Sequence, residues 1–205
     1  ERTFGTYLGA AIEMVPEELT PEMFEGYGYF HIEGYLVQNH DLIRKAMQLA
    51  HEKGVKISLD MASYNVVEAN REFLKEMIEK YVDIIFANEE EAKAFTGKTP
   101  EESLHEFASM VNIAVVKLGS AGSLIKRGEE VVKIGVIKVN SVDTTGAGDL
   151  YAAGFLYGLA NDYSLDKCGQ IGALLSGRVI EFVGPKMDEK TWKEIRKKVK
   201  EIENN

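Results

Sequence analysis

The amino-acid sequence predicts an α/β fold: a mostly parallel sheet flanked by helices on both faces, with an antiparallel hairpin at its edge. Three observations predict it. Short apolar, β-rich runs alternate with helical runs, the rhythm of parallel strands joined by helical crossovers. Midway, two strand-like runs are separated only by Gly128-Glu129-Glu130, a link of hairpin length. No internal repeat, low-complexity tract or linker interrupts the 205 residues, which read as one domain.

Taken in order, Val55-Lys56-Ile57-Ser58-Leu59-Asp60, Val82-Asp83-Ile84-Ile85-Phe86 and Asn112-Ile113-Ala114-Val115-Val116 are short buried strands. A helix from about Asp41 places Leu42, Ile43, Ala46, Met47, Leu49 and Ala50 on one face and stops at Gly54. A second covers 70–80 and a third starts near Asn88. Thr99-Pro100-Glu101-Glu102 announces a fourth with a cap, a proline in the first turn and a capping-box Glu. Strands are predicted over 123–127 and 131–139, and helices over 147–160 and 165–181. A last helix carries Trp192, Ile195, Val199 and Ile202 at spacings of three and four, which leaves its Lys and Arg residues on a solvated face.

Apolar residues make up 45% of the chain and charged residues 28%, the balance of an ordinary globular protein, and no apolar run reaches membrane-spanning length. The opening Glu1-Arg2-Thr3-Phe4 has neither the basic start nor the apolar run of a secretory leader. It also lacks a Met, so an upstream section is expected. Acidic residues outnumber basic ones by 33 to 24, a net charge of −9, which disfavours a nucleic-acid partner. A small anionic ligand remains compatible, because it needs only converging N–H groups or a metal ion. The single cysteine, Cys168, fits a reducing cytoplasmic setting and lies in a helical pattern as a small buried hydrophobe. His31, His40, His51 and His105 have no metal-ligand spacing.

The string that carries chemistry is Asn140-Ser141-Val142-Asp143-Thr144-Thr145-Gly146-Ala147-Gly148-Asp149, which follows a strand and opens a long helix rich in small residues. Glycines there let successive N–H groups converge, and the helix dipole adds to them, so the turn is a ready anion hole. Phosphoryl transfer needs such a hole, and Asp149 in the first helical turn could accept the proton of an attacking hydroxyl. A plainer reading is also open: an Asp partnering the helix dipole, and glycines that allow tight helix–strand packing.

The longer string Asp-Thr-Thr-Gly-Ala-Gly-Asp resembles the C-terminal signature of the ribokinase, or PfkB, family of carbohydrate and nucleoside kinases. The resemblance implies a ribokinase-like fold that uses ATP and Mg²⁺, with Asp149 as catalytic base and the backbone of Gly146, Ala147 and Gly148 as anion hole. Asn88-Glu89-Glu90-Glu91 resembles the family's Asn-x-x-Glu motif, which assigns Asn88 and Glu91 to Mg²⁺ and phosphate, largely through water. The same spacing is a capping box, and both roles fit together. Lys117-Leu118-Gly119-Ser120-Ala121-Gly122 resembles the Lys-x-Gly-x-x-Gly turn beside the nucleotide, placing Lys117, Gly119 and Gly122 there. Neither a Walker P-loop nor a Gly-x-Gly-x-x-Gly fingerprint occurs. His31-Ile32-Glu33-Gly34 resembles the substrate-pocket segment, so Glu33 faces the acceptor or is simply an edge-of-sheet Glu. Asp60, at a strand end, is a weaker substrate candidate. The resemblance further implies a K⁺ or similar monovalent site at Asp143 and Thr145, completed by carbonyls near Val179, Phe182 and Gly184.

The likeness runs from Glu1 to about Gly184. Family members carry a preceding section with most sugar contacts and much of a small β-lid. Residues 1–12 resemble the strand leaving that lid, and 3–12 would then be a homodimer contact, although an edge strand fits the same pattern. The acceptor, a sugar or a nucleoside, stays open, with a slight lean to the adenosine-kinase-like branch. The rivals are a non-catalytic nucleotide-binding module, or inactive fragment, and a nicotinamide-dependent oxidoreductase.

Overall fold

A computed structural model describes residues 9–204. Six strands form one sheet in the order β1 (Tyr29–Glu33), β2 (Lys56–Asp60), β3 (Ile84–Asn88), β4 (Ile113–Lys117), β5 (Ser123–Arg127) and β6 (Glu130–Ile134). The first four are parallel, and β5 and β6 turn antiparallel.

Alternation along each strand divides the core between two faces, as a doubly covered sheet requires. Ile85, Ala87, Ala114 and Val116 point to one face, packed beneath α1 (His40–Glu52), α3 (Arg71–Tyr81), α4 (Glu89–Thr96) and α5 (Pro100–Met110). Ile84, Phe86, Ile113 and Val115 point to the other, where α6 (Ala147–Ala160) and α7 (Leu165–Val179) lie. Helix α8 (Glu189–Asn204) packs on α7 through Ile195 and Val199. The small residues of α6 have a packing task. A Cβ on Gly154 would stand 2.9 Å from the Ile171 carbonyl oxygen, and one on Gly158 would stand 2.8 Å from Cys168 Sγ, so α6 and α7 touch at backbone distance. Cys168 is buried there, and burial pushes its thiol up to about 11.

The fold departs from expectation in several places. Strand β6 ends at Ile134, not at 139, because its partner runs out: Ser123 is the last residue of β5 to pair, and the Gly119–Gly122 turn lies before it. Ile137 packs instead against Gly177 of α7. Helix α7 stops at Val179 rather than 181, where Phe182 N–H bonds the Val179 carbonyl and the Ile180 carbonyl accepts from Val142 and Asp143. A short helix α2 (Tyr64–Ala69), capped by Ser63, precedes α3, and 3-10 turns occupy Pro16–Glu18, Pro21–Phe24 and Gly34–Gln38. The expected exit strand over 1–12 falls largely outside the described residues, and Gly9–Ile12 forms a 3-10 turn. Among the described residues no helix is long and apolar enough to cross a membrane.

Candidate active site

Parallel strands deliver their last residues to one edge of the sheet, and here those residues are Glu33, Asp60, Asn88 and Lys117. Glu33 stands opposite Asp60 and Asn88 opposite Lys117 in the ladder. Three carry charge and the fourth is a cap. That concentration of polar groups at the carboxyl edge is where small-molecule sites form in α/β sheets.

Asn88 closes β3 and starts α4. Its side chain accepts from Glu91 N–H at 2.9 Å, while Glu91 accepts from Asn88 N–H at 2.7 Å and from its side-chain amide at 2.6 Å. The capping half of the expected double role is therefore seen directly, with both Glu91 oxygens turned to Asn88. Glu91 is 2% exposed. Burial pushes its pKa up to about 7, with Asp60 adding and Lys117 opposing. An acid raised in this way stabilises the fold below its unfolded pKa of 4.5 and loses that contribution as pH climbs through about 7. The stability advantage of wild type over Glu91→Gln is thus expected to shrink between pH 4.5 and 7, by up to about 3 kcal/mol. Urea titrations of both proteins across that range check it, and a pH-independent difference contradicts it.

Lys117 Nζ donates to Asp60 Oδ2 at 2.8 Å, and Asp60 Oδ1 accepts from Ala62 N–H at 2.9 Å. Burial works against the Lys117 ammonium, yet the Asp60 and Glu91 carboxylates outweigh it and hold its pKa above the ordinary lysine value. The same ammonium lies 3.2 Å from where a Cβ on Gly148 would stand. Lys117 therefore joins the strand ends to the start of α6. The turn that follows it depends on Gly122, whose Cβ would collide with the Ile134 carbonyl, and Gly119 also sits at positive φ.

Gly146 caps α6 in the left-handed region, φ 78°, and its flank abuts Pro185. Ala147, Gly148 and Asp149 fill the first turn, where N–H groups have no partner within the helix. Asp149 is open to solvent. Desolvation and the Glu33 and Asp60 carboxylates raise its pKa above that of an ordinary Asp, against a downward pull from Lys117 and His31. Just before the turn, Asp143 Oδ1 accepts from Thr145 N–H at 2.9 Å and from its hydroxyl at 2.7 Å, and Oδ2 accepts from Gly184 N–H at 2.8 Å. Asp143, Thr145 and Gly184 are thus brought together, with Val179 and Phe182 on the same return of chain.

A family model described as pfkB family carbohydrate kinase matches residues 1–192. The chain belongs to this family. A 6-phosphofructokinase, ATP-dependent, of Thermoanaerobacterium thermosaccharolyticum is 37% identical over 120 residues, covering 58% of this chain and 37% of that protein. A ribokinase of Lactococcus lactis is 34% identical over 174 residues, 84% of this chain and 56% of that one. Among solved structures, the adenosine kinase from Sinorhizobium meliloti superposes with a TM-score of 0.84 at 33% identity, covering 91% of this chain and 59% of that one. The chain thus spans less than two thirds of the length of each of these pfkB relatives.

Two residues of the site escaped the sequence. His31 Nδ1 lies 2.7 Å from Ser58 Oγ, and its Nε2 lies 3.5 Å from Glu33 Oε1. The available signal was the period of two: His31 shares its strand face with Glu33. Gly34 is the other. A Cβ there would stand 2.3 Å from the Asp60 carbonyl oxygen, so only glycine lets β1 pass the turn after β2.

Proposed function

We propose that the complete protein transfers the γ-phosphoryl group of ATP to a hydroxyl of a sugar or nucleoside, with Asp149 as the base. The observation that carries this is the junction at α6: an open helix N-terminus, a lysine ammonium against Gly148, and a carboxylate of raised pKa in the same turn. The N–H groups of Gly146, Gly148 and Asp149 and the helix dipole favour the transferring anion, beside Ala147, whose N–H donates to the Thr144 carbonyl at 3.2 Å. Asp149 takes the acceptor's proton as its oxygen attacks phosphorus, and a pKa above the usual aspartate value suits a base better than a fully stabilised carboxylate does. Glu33, half-buried at the end of β1, faces the acceptor in this scheme.

Among the described residues no group of three or more His, Cys, Asp or Glu could hold a metal ion. Asn88 and Glu91 are the residues that would meet the water shell of Mg²⁺ carried on the substrate phosphates. Mg²⁺ so placed neutralises charge on the phosphate oxygens. The Asp143, Thr145 and Gly184 cluster is the part proposed to take K⁺, with carbonyls of Val179 and Phe182. Faster turnover in K⁺ than in Na⁺ buffer is expected, and equal rates contradict it.

The test is ADP release by the complete protein with ATP and Mg²⁺ across sugars, sugar phosphates and nucleosides. Release that depends on one acceptor supports the proposal and names the substrate. A folded protein that binds ATP but releases no acceptor-dependent ADP points to a nucleotide-binding module instead.

A further inference from the structure

Behind the α6 N-terminus lies a cluster of charge in which buried Asp60 and Glu91 flank a partly buried Lys117, drawn from the ends of β2 and β4 and the first turn of α4. Lys117 is its hub. An ammonium has three donors. Asp60 takes one, and among the described residues Nζ has no other hydrogen-bond or ion-pair partner. The side chain is 16% exposed and its charge lies against Gly148, so its remaining donors stand beside the turn proposed to hold phosphate. A side chain at position 148 would crowd that ammonium.

Asp60 is occupied differently from a substrate contact. One oxygen is held by Ala62 N–H and the other by Lys117, and the residue is 7% exposed. Ala62 itself sits at φ 63°, a left-handed conformation that costs a non-glycine residue energy and that the Asp60 bond helps to hold.

We infer that Lys117 is a fixed cation of the phosphate hole, and that Asp60 is the positioning residue that aims it rather than a contact to the acceptor. The inference rests on the kinase function proposed above. During transfer the acceptor oxygen bonds to the γ-phosphorus while the bond from that phosphorus to the leaving ADP oxygen breaks, and the acceptor proton passes to Asp149. Negative charge spreads over the equatorial phosphoryl oxygens, and a pre-placed ammonium stabilises it without reorganisation. Lys117 keeps its proton throughout, as its carboxylate neighbours favour.

The experiment uses the complete protein as wild type, Lys117→Met, Asp60→Asn and the double variant. It reads kcat, KM for ATP and acceptor, ADP affinity by calorimetry, and melting temperature. Lys117→Met is expected to lower kcat by about 100-fold or more while ADP affinity changes only a few-fold. Asp60→Asn lowers kcat about 10-fold with acceptor KM unchanged, because it acts through the ammonium. The double variant is no slower than Lys117→Met, since both changes remove one effect. It also removes the Asp60 charge that Lys117→Met alone would leave buried without its cation, so it answers the question if Lys117→Met alone fails to fold. A folded Lys117→Met or double variant with kcat near wild type overturns the inference, as does Asp60→Asn raising acceptor KM at unchanged kcat. Turnover in wild type with indifferent Lys117 variants removes this inference alone. Absence of acceptor-dependent turnover in wild type removes the kinase proposal and this inference with it.

Discussion

Asp149→Asn in the complete protein is expected to lower acceptor-dependent kcat by about 10²–10⁴-fold, the range of a lost general base. Asn keeps the shape and cannot take the proton. Stability should hardly move, because Asp149 is open to solvent and its charge faces Glu33 and Asp60 as well as Lys117. The wild-type rate should also fall as the solution is acidified through the Asp149 pKa. Since that pKa is raised, the acidic limb should lie above the ordinary aspartate range. Kinetics of both proteins, with circular dichroism to show that the variant is folded, decide the matter. Near-normal turnover in the variant removes Asp149 as base.

Gly122→Ala should produce the largest loss of stability among single methyl additions near the site. Gly122 has φ 98° and ψ −133°, a region essentially reserved for glycine. An added Cβ would also stand 1.9 Å from the Ile134 carbonyl oxygen, at the end of β6. Strain and collision together are expected to cost about 3–5 kcal/mol, a drop in melting temperature on the order of 10 °C. Gly128→Ala is the control: its φ is also positive, at 55°, but no atom lies within 4 Å of the new Cβ. It should cost about 1 kcal/mol. Equal losses in the two variants would show that the collision does not matter. Because Lys117 precedes this turn directly, Gly122→Ala should also slow turnover in the fraction that stays folded.

Much of the architecture was legible because its signals are local. The helix from 147 to 160 begins where the Gly-Ala-Gly-Asp string places it, and the Thr99 and Asn88 boxes start α5 and α4 as their spacing requires. The structure departs from the local signal where a distant partner decides. Residues 135–139 alternate like a strand, yet β5 has no residues left to pair with them. Helix α7 ends early, and the Ile180 carbonyl that follows it is claimed by Val142 and Asp143 of a distant loop. The site shows the same division. Asp149 and its glycines are contiguous and could be read from the chain. The Asp60–Lys117 pair joins residues 57 apart across the intervening β3, so nothing local announces it. That pairing also changes the sense of Asp60, from a carboxylate at a strand end to one already bound.

In the complete protein the α6 junction is proposed to transfer a phosphoryl group to an alcohol. The most direct measurement is the phosphorus NMR spectrum of the complete protein incubated with ATP, Mg²⁺ and its best acceptor. The expected result is loss of the ATP γ signal, with ADP and a phosphomonoester appearing in equal amounts. ADP accompanied only by inorganic phosphate, or ATP left intact with every acceptor, would contradict it.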